Sequence, residues 1–248
     1  MACLIISLLC GAPVADAPPP QGSYLYRPAF SLDDDLRCPA EPYVPQPGDI
    51  FLATDQALWA RVGHWVAGGA GVHHSGIVFL RSDGRPGLIE AGPFNSVRIE
   101  VMDPVEHMRE HARAGDKVWV RRRCVPLTAE ESARLTAFVE RQDGKPFAVG
   151  RMLRQVTPIR TRGPVRTCFL GGPHGDRDRF YCSELVVEAC VAAGLMDGAT
   201  ARPSATYPRD LFFGRSRNHY LDKHLCMDGW EPPARWLDGC LTSGPPCP

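Results

Sequence analysis

The sequence predicts an α+β domain in which an antiparallel sheet packs against one helix that begins at a cysteine. Three observations carry this. Asp83-Gly84 separates two strand-like apolar runs, residues 75–80 and a run ending at Glu90, which is a short-range hairpin signal. Residues 96–101 and 117–123 alternate apolar with polar or bulky positions (Val97, Ile99, Val101; Val118, Val120), as sheet strands do. Beyond Cys182, the residues Leu185, Val186, Ala189, Ala192 and Ala193 recur at helical spacing, and Gly194 is suited to end the helix.

Taken in order, the chain opens with an apolar run, LIISLLCGA, followed by Ala15-Asp16-Ala17, which reads as a secretory signal peptide over residues 1–17 with an exported mature chain. No Lys or Arg precedes that run. Lipidation at Cys10 is disfavoured because Leu9 stands where a small residue is expected. Residues 18–46 are proline-rich and read as an extended arm, residues 47–212 as the folded domain, and residues 213–248 as a loop-rich tail containing cysteines.

Within the domain, Gln46-Pro47-Gly48-Asp49 turns the chain into a first strand at Ile50, and Asp55 is placed to cap a helix through Trp65. Asp49 is expected to bond local backbone rather than to act chemically. Asp103-Pro104 starts a short helix through Val105, Met108 and His111. Thr128 followed by Glu131 is a capping-box start for a helix carrying Leu135, Phe138 and Val139. Residues 145–179 are rich in Arg, Gly and Pro without strong periodicity, which suits a lid or a wall of a cleft. Arg151, Arg154, Arg160, Arg162 and Arg166 of that segment would then favour substrates bearing carboxylates.

Composition narrows the function classes. Lys plus Arg and Asp plus Glu are each 28, giving a formal net charge of zero, so the overall charge predicts neither a nucleic-acid partner nor attraction to an anionic membrane. Past the leader, no stretch approaches the roughly 18 to 20 continuous apolar residues of a membrane-spanning helix. Of the ten cysteines, eight remain after residue 17. Disulfides are expected in an exported chain, with Cys226, Cys240 and Cys247 crowding the tail. The absence of a C-x-x-C pair argues against a zinc ribbon or a thioredoxin-type site.

The candidate chemistry centres on Cys182. At a helix start, free backbone N–H groups and the positive end of the macrodipole are expected to lower a thiol pKa and to hold an oxyanion. His74, at the mouth of the buried strand, is the candidate base, and Glu90, on the neighbouring strand, is its candidate orienter. A register shift or bulge is expected to bring the two together. Because His73 and His74 are adjacent on a strand, only one of them can face the cysteine.

Four motifs in order, Pro47-Gly48-Asp49-Ile50, His74-Ser75-Gly76-Ile77-Val78, Ile89-Glu90-Ala91 and Tyr181-Cys182-Ser183-Glu184-Leu185, resemble circularly permuted papain-like cysteine hydrolases of the NlpC and YiiX/YebB type. The likeness spans most of residues 47–212. Ser75 stands where many members carry valine, the segment before Cys182 is long, and the tail falls outside the resemblance. The resemblance implies a permuted papain-like fold, with Cys182 as nucleophile, His74 as base and then acid, and Glu90 as orienter. It implies cleavage of an amide through a thioester with neither metal nor organic cofactor. The expected partner is a small peptide or acyl substrate, cell-wall peptide (peptidoglycan) foremost. The same fold and triad type also serve lipid acyl hydrolases and acyltransferases related to lecithin retinol acyltransferase. A disulfide-stabilised, non-catalytic binding module is the reading from another class.

Overall fold

The sheet-forming runs collect into a single eight-stranded, wholly antiparallel sheet in the computed structural model, which describes residues 22–26, 40–56, 65, 71–92 and 96–239. The strands are β1 (Ser23–Tyr26), β2 (Ala40–Pro42), β3 (Ile50–Ala53), β4 (His74–Leu80), β5 (Pro86–Ala91), β6 (Ile99–Met102), β7 (Val118–Arg121) and β8 (Ala234–Asp238). Their order across the sheet is β2-β1-β8-β7-β3-β4-β5-β6. The β4–β5 hairpin turns at Asp83-Gly84 as expected, and Gly84 takes a positive φ of 82°.

Strand alternation gives the sheet two buried faces. Ile50, Leu52, Ile77, Phe79 and Ile89 form one face with Leu185, Val186, Ala189 and Cys190 of the cysteine helix and with Leu135, Phe138 and Val139. Phe51, Val78, Leu88, Val118, Val120 and Trp236 form the other, with Met108. Each fully buried Leu, Val or Phe contributes about 1.5–3 kcal/mol, so both layers help to hold the sheet.

Three helices matter for the site. Helix α1 (Pro104–Arg113) starts where Asp103 accepts from the Glu106 N–H at 2.9 Å with proline in its first turn. Helix α2 (Ala129–Glu140) starts at the expected capping box, in which Thr128 and Glu131 bond reciprocally. Short α3 (Val149–Arg154) and α4 (Arg166–Phe169) lie in the arginine-rich segment. Helix α5 (Cys182–Ala193) ends at Gly194, whose φ of 82° is left-handed. Helices α6 (Pro208–Phe213) and α7 (His219–His224) follow.

The expected boundaries at 46 and 212 do not delimit the fold. Part of the arm supplies β1 and β2, the tail supplies β8, and Leu25 pairs with Trp236 in the middle of the sheet. The reason is apolar burial, since Tyr24, Leu25, Tyr26 and Trp236 are all buried. The leader over 1–17 and most of the helix expected after Asp55 lie outside the described residues. Among the described residues, no helix is long and apolar enough to cross a membrane. Also among them, Cys124, Cys168, Cys182, Cys190 and Cys226 are free thiols. Cys38, Cys240 and Cys247 lie outside that set.

Candidate active site

Cys182 occupies the first turn of α5, where helix geometry leaves its own N–H and those of Ser183 and Glu184 without an intrahelical acceptor. Leu185 N–H, bonding Tyr181 O at 3.0 Å, makes the first helical bond. Glu184 accepts from the Tyr181 N–H at 3.4 Å and is itself held by Arg151 and Arg177, each 2.9 Å away, which fixes the turn that carries the thiol.

The thiol is only 7% exposed, and its Sγ lies 3.6 Å from the backbone carbonyl of His73. Burial raises its pKa, and the charge of Glu90 adds to this. The His74 cation, the Ser183 N–H and the Ser75 hydroxyl pull the other way without reversing it. The expected lowering by the helix start is therefore outweighed by desolvation.

His74 begins β4, and its ring is clamped between two carboxylates. Nδ1 stands 2.9 Å from Glu90 Oε1, and Nε2 stands 3.1 Å from Asp55 Oδ2. Burial alone would depress its pKa, yet the bonds to Asp55 and Glu90 and the Glu90 charge hold it well above the ordinary value, which favours the protonated ring. Glu90 is fully buried. Burial raises its pKa, but hydrogen bonds from His107 and His74 outweigh that and keep it well below the usual carboxylate range.

No bulge is needed to join His74 to Glu90. The register sets Gly76 opposite Glu90, so His74 is the diagonal neighbour on the same face, within reach of a long side chain. Gly76 permits this close pairing, because a Cβ there would lie 2.7 Å from the Ile89 carbonyl.

Alternation also separates the three residues in a way the spacing did not reveal. Ser75, Ile77 and Ile89 face α5, whereas His74, Gly76 and Glu90 share the alternate face with Val78 and Leu88, toward α1. Cys182 reaches the end of β4 from the α5 side, touching the His73 carbonyl and the Ser75 hydroxyl. It couples to His74 through charge. His73 is buried, with its Nδ1 accepting from the Asp55 N–H at 2.8 Å.

Three contributors escaped the sequence reading. Asp55, expected to cap a helix that lies mostly outside the described residues, binds His74. His107 donates to the second oxygen of Glu90 at 2.8 Å, and His111 packs beside His107 with ring centroids 4.7 Å apart. The His107/His111 spacing of four on one helix was the available signal. Asp49 behaves as expected, accepting from Gln46 N–H, Arg123 N–H and Tyr43 Oη–H.

Four of the five arginines of 145–179 expected to meet substrate make bonds within the protein, and of these four only Arg162 is buried. Arg162 makes a bidentate pair with buried Asp210 and stacks on Tyr207, Arg151 binds Glu184, Arg154 donates to Thr161 and Arg166 to the Pro158 carbonyl. The expectation that they greet substrate carboxylates is corrected for Arg162, which is buried and paired with Asp210. Beside exposed Arg154 and Arg166, this segment exposes the apolar side chains Leu153, Ile159, Val165, Phe169 (82% exposed) and Leu170. A hollow of about 490 Å³ is lined by Val156, Pro158, Val165, Arg160, Arg166 and their neighbours.

Comparison with known proteins is sparse. No protein-family model matches the sequence, and no curated protein does. Among solved structures, the chain is similar to one described as metalloprotein YiiX from Escherichia coli O157:H7, DUF1105, with 22% identity and a TM-score of 0.41, covering 61% of this chain and 67% of that one. The word metalloprotein describes that protein.

Proposed function

We propose that this protein is an exported cysteine hydrolase of permuted papain-like design, cleaving an amide bond, with cell-wall peptide as the substrate class. The observation that supports it is that, at one end of β4, a helix-start thiol is charge-coupled to a histidine paired with a buried carboxylate. In this reading Nε2 of neutral His74, released from Asp55, takes the Cys182 proton to give a thiolate and an imidazolium, and the thiolate attacks the carbonyl carbon. The first-turn N–H groups of α5 receive the oxyanion. His74 then protonates the leaving amine, and water, deprotonated by neutral His74, hydrolyses the thioester and regenerates the thiol. Glu90 holds the ring orientation and stabilises the charge on His74. Asp55 occupies Nε2 in the described state, so the reactive state requires that contact to open.

A second reading, lipid acyl hydrolysis or acyl transfer by the same residues, is favoured by the exposed apolar residues of 153–170. Wild type and Cys182→Ala are incubated with peptidoglycan fragments in one set and short-chain lipid esters in another. Cys182-dependent peptide release supports the proposal. Turnover of esters alone transfers support to the lipid reading, and turnover of neither, with Cys182 alkylating no faster than Cys190, favours a non-catalytic binding module.

A further inference from the structure

Helix α1 docks on the sheet through an unusual stripe. Its buried positions are Pro104, His107, Met108 and His111, so a face that ordinarily carries Leu or Ile carries two imidazoles instead. Burying polar rings is costly unless each finds a partner. They are buried together with a third donor: the ligand-capable atoms of Glu90, His107 and His111 all lie within 4.8 Å of one another, and all three residues are buried.

The surroundings of these rings are those of metal ligands. His111 Nδ1 is 2.8 Å from Asp116 Oδ2, which places a proton on Nδ1 and leaves Nε2 with its lone pair. His107 Nδ1 faces Glu110 Oε2 at 3.7 Å, while its Nε2 is turned to Glu90. A carboxylate hydrogen-bonded behind a ring, as Asp116 is behind His111, is the usual outer support of a histidine ligand, and Glu110 adds a more distant negative charge behind His107. Phe51 packs on both rings, at 5.4 and 5.2 Å between centroids, and supplies an apolar wall.

We infer that Glu90 Oε2, His107 Nε2 and His111 Nε2 form a binding site for a divalent first-row cation, zinc above all. Two imidazoles and a carboxylate suit that chemistry better than calcium or magnesium, which take mostly oxygen donors. Binding displaces a proton from His107 Nε2 and ties α1 to β5. Glu90 Oε1 remains directed at His74. Sequence spacing pointed to no metal because the third donor sits on a strand, outside any ligand motif. Glu90 is shared with the proposed hydrolytic site through its other oxygen, whereas Cys182 is not a ligand, so the two proposals are separated by experiment.

The test uses the full chain, stripped with a chelator and titrated with zinc against a chromophoric competitor, then with cobalt for its visible spectrum. One equivalent of zinc binds, with release of protons and a rise in melting temperature. Cobalt shows ligand-field bands without thiolate charge transfer. Cys182→Ala binds as wild type does, His111→Gln loses the site, and Asp116→Asn, a milder change behind the ring, weakens it about 10- to 100-fold. Failure of the stripped protein to bind either metal overturns the inference. So does retention of full affinity in both folded variants, or a thiolate band in the cobalt spectrum. Loss of turnover in Cys182→Ala with zinc binding intact separates the two proposals.

Discussion

Replacing Glu90 by Gln tests the candidate site most directly, because that carboxylate is where the buried charges converge. Its Oε1 faces the His74 cation at 2.9 Å and its Oε2 accepts from His107 at 2.8 Å, with no exposure to solvent. Glutamine has the same shape, and its amide keeps one acceptor and gains a donor, so one of the two histidine contacts survives and the other must reverse its tautomer or break. Losing one charge-assisted hydrogen bond costs about 1.5–3 kcal/mol, less than the roughly 3–5 kcal/mol of leaving a buried ion uncompensated. The fold is therefore expected to persist with a lower urea midpoint. The kinetic effect is separate. Without the carboxylate the raised pKa of His74 falls, the imidazolium is poorly stabilised, and turnover drops about 10²- to 10⁴-fold with little change in KM. The assay combines urea unfolding, NMR titration of His74 and steady-state kinetics on the substrate found for wild type. Turnover within about threefold of wild type, in a variant whose His74 pKa has fallen, would refute the assigned role of Glu90.

Other expectations follow from individual contacts. Asp55→Asn removes one of the two carboxylates on His74; the His74 pKa is expected to fall and alkylation of Cys182 near neutral pH to quicken, whereas slower alkylation would place Asp55 among the groups that activate the thiol. Cys182 is expected to alkylate well before Cys190, whose thiol burial pushes up to about 12, and His74→Ala to slow Cys182 by removing its cation; equal rates for the two thiols would deny Cys182 a special environment. Arg162→Met strands Asp210 in the interior and is expected to cost about 3–5 kcal/mol by thermal or urea unfolding, while a loss under about 0.5 kcal/mol would mean the pair is solvated in solution. Stability should also respond to pH in two directions. Burial lifts Glu188 to about 7 and Asp49 to about 6, so the native state takes up protons that the unfolded chain does not. Stability then rises as pH falls from 8 toward 5, and the raised His74 works in the same direction, since its contribution is complete below its ordinary 6.5. Below the ordinary Glu value of 4.5, the contribution of the depressed Glu90 is progressively lost. A monotonic rise in stability from pH 4 to 8 would contradict this assignment.

The sequence by itself determined the local elements of this protein. Period-two apolar runs, the Asp83-Gly84 turn, the Thr128 capping box, the Asp103-Pro104 start and Gly194 all act over a few residues. The strands, helices and hairpin they imply are therefore found close to their expected positions. Cys182 at a helix start and Glu90 on the strand beside His74 were legible for the same reason. What only the tertiary structure decided is long-range. Trp236 and Leu25 are paired across more than two hundred residues, so neither the arm nor the tail could be seen as sheet from its own composition. The poise of the thiol was hidden too: the charge at a helix start is a local property, but desolvation depends on everything packed around Cys182, and here it wins. Asp55, His107 and His111 converge on His74 and Glu90 from separate elements. A side chain's proton affinity and its capacity to hold a cation follow from distances in the folded state, which spacing along the chain does not encode.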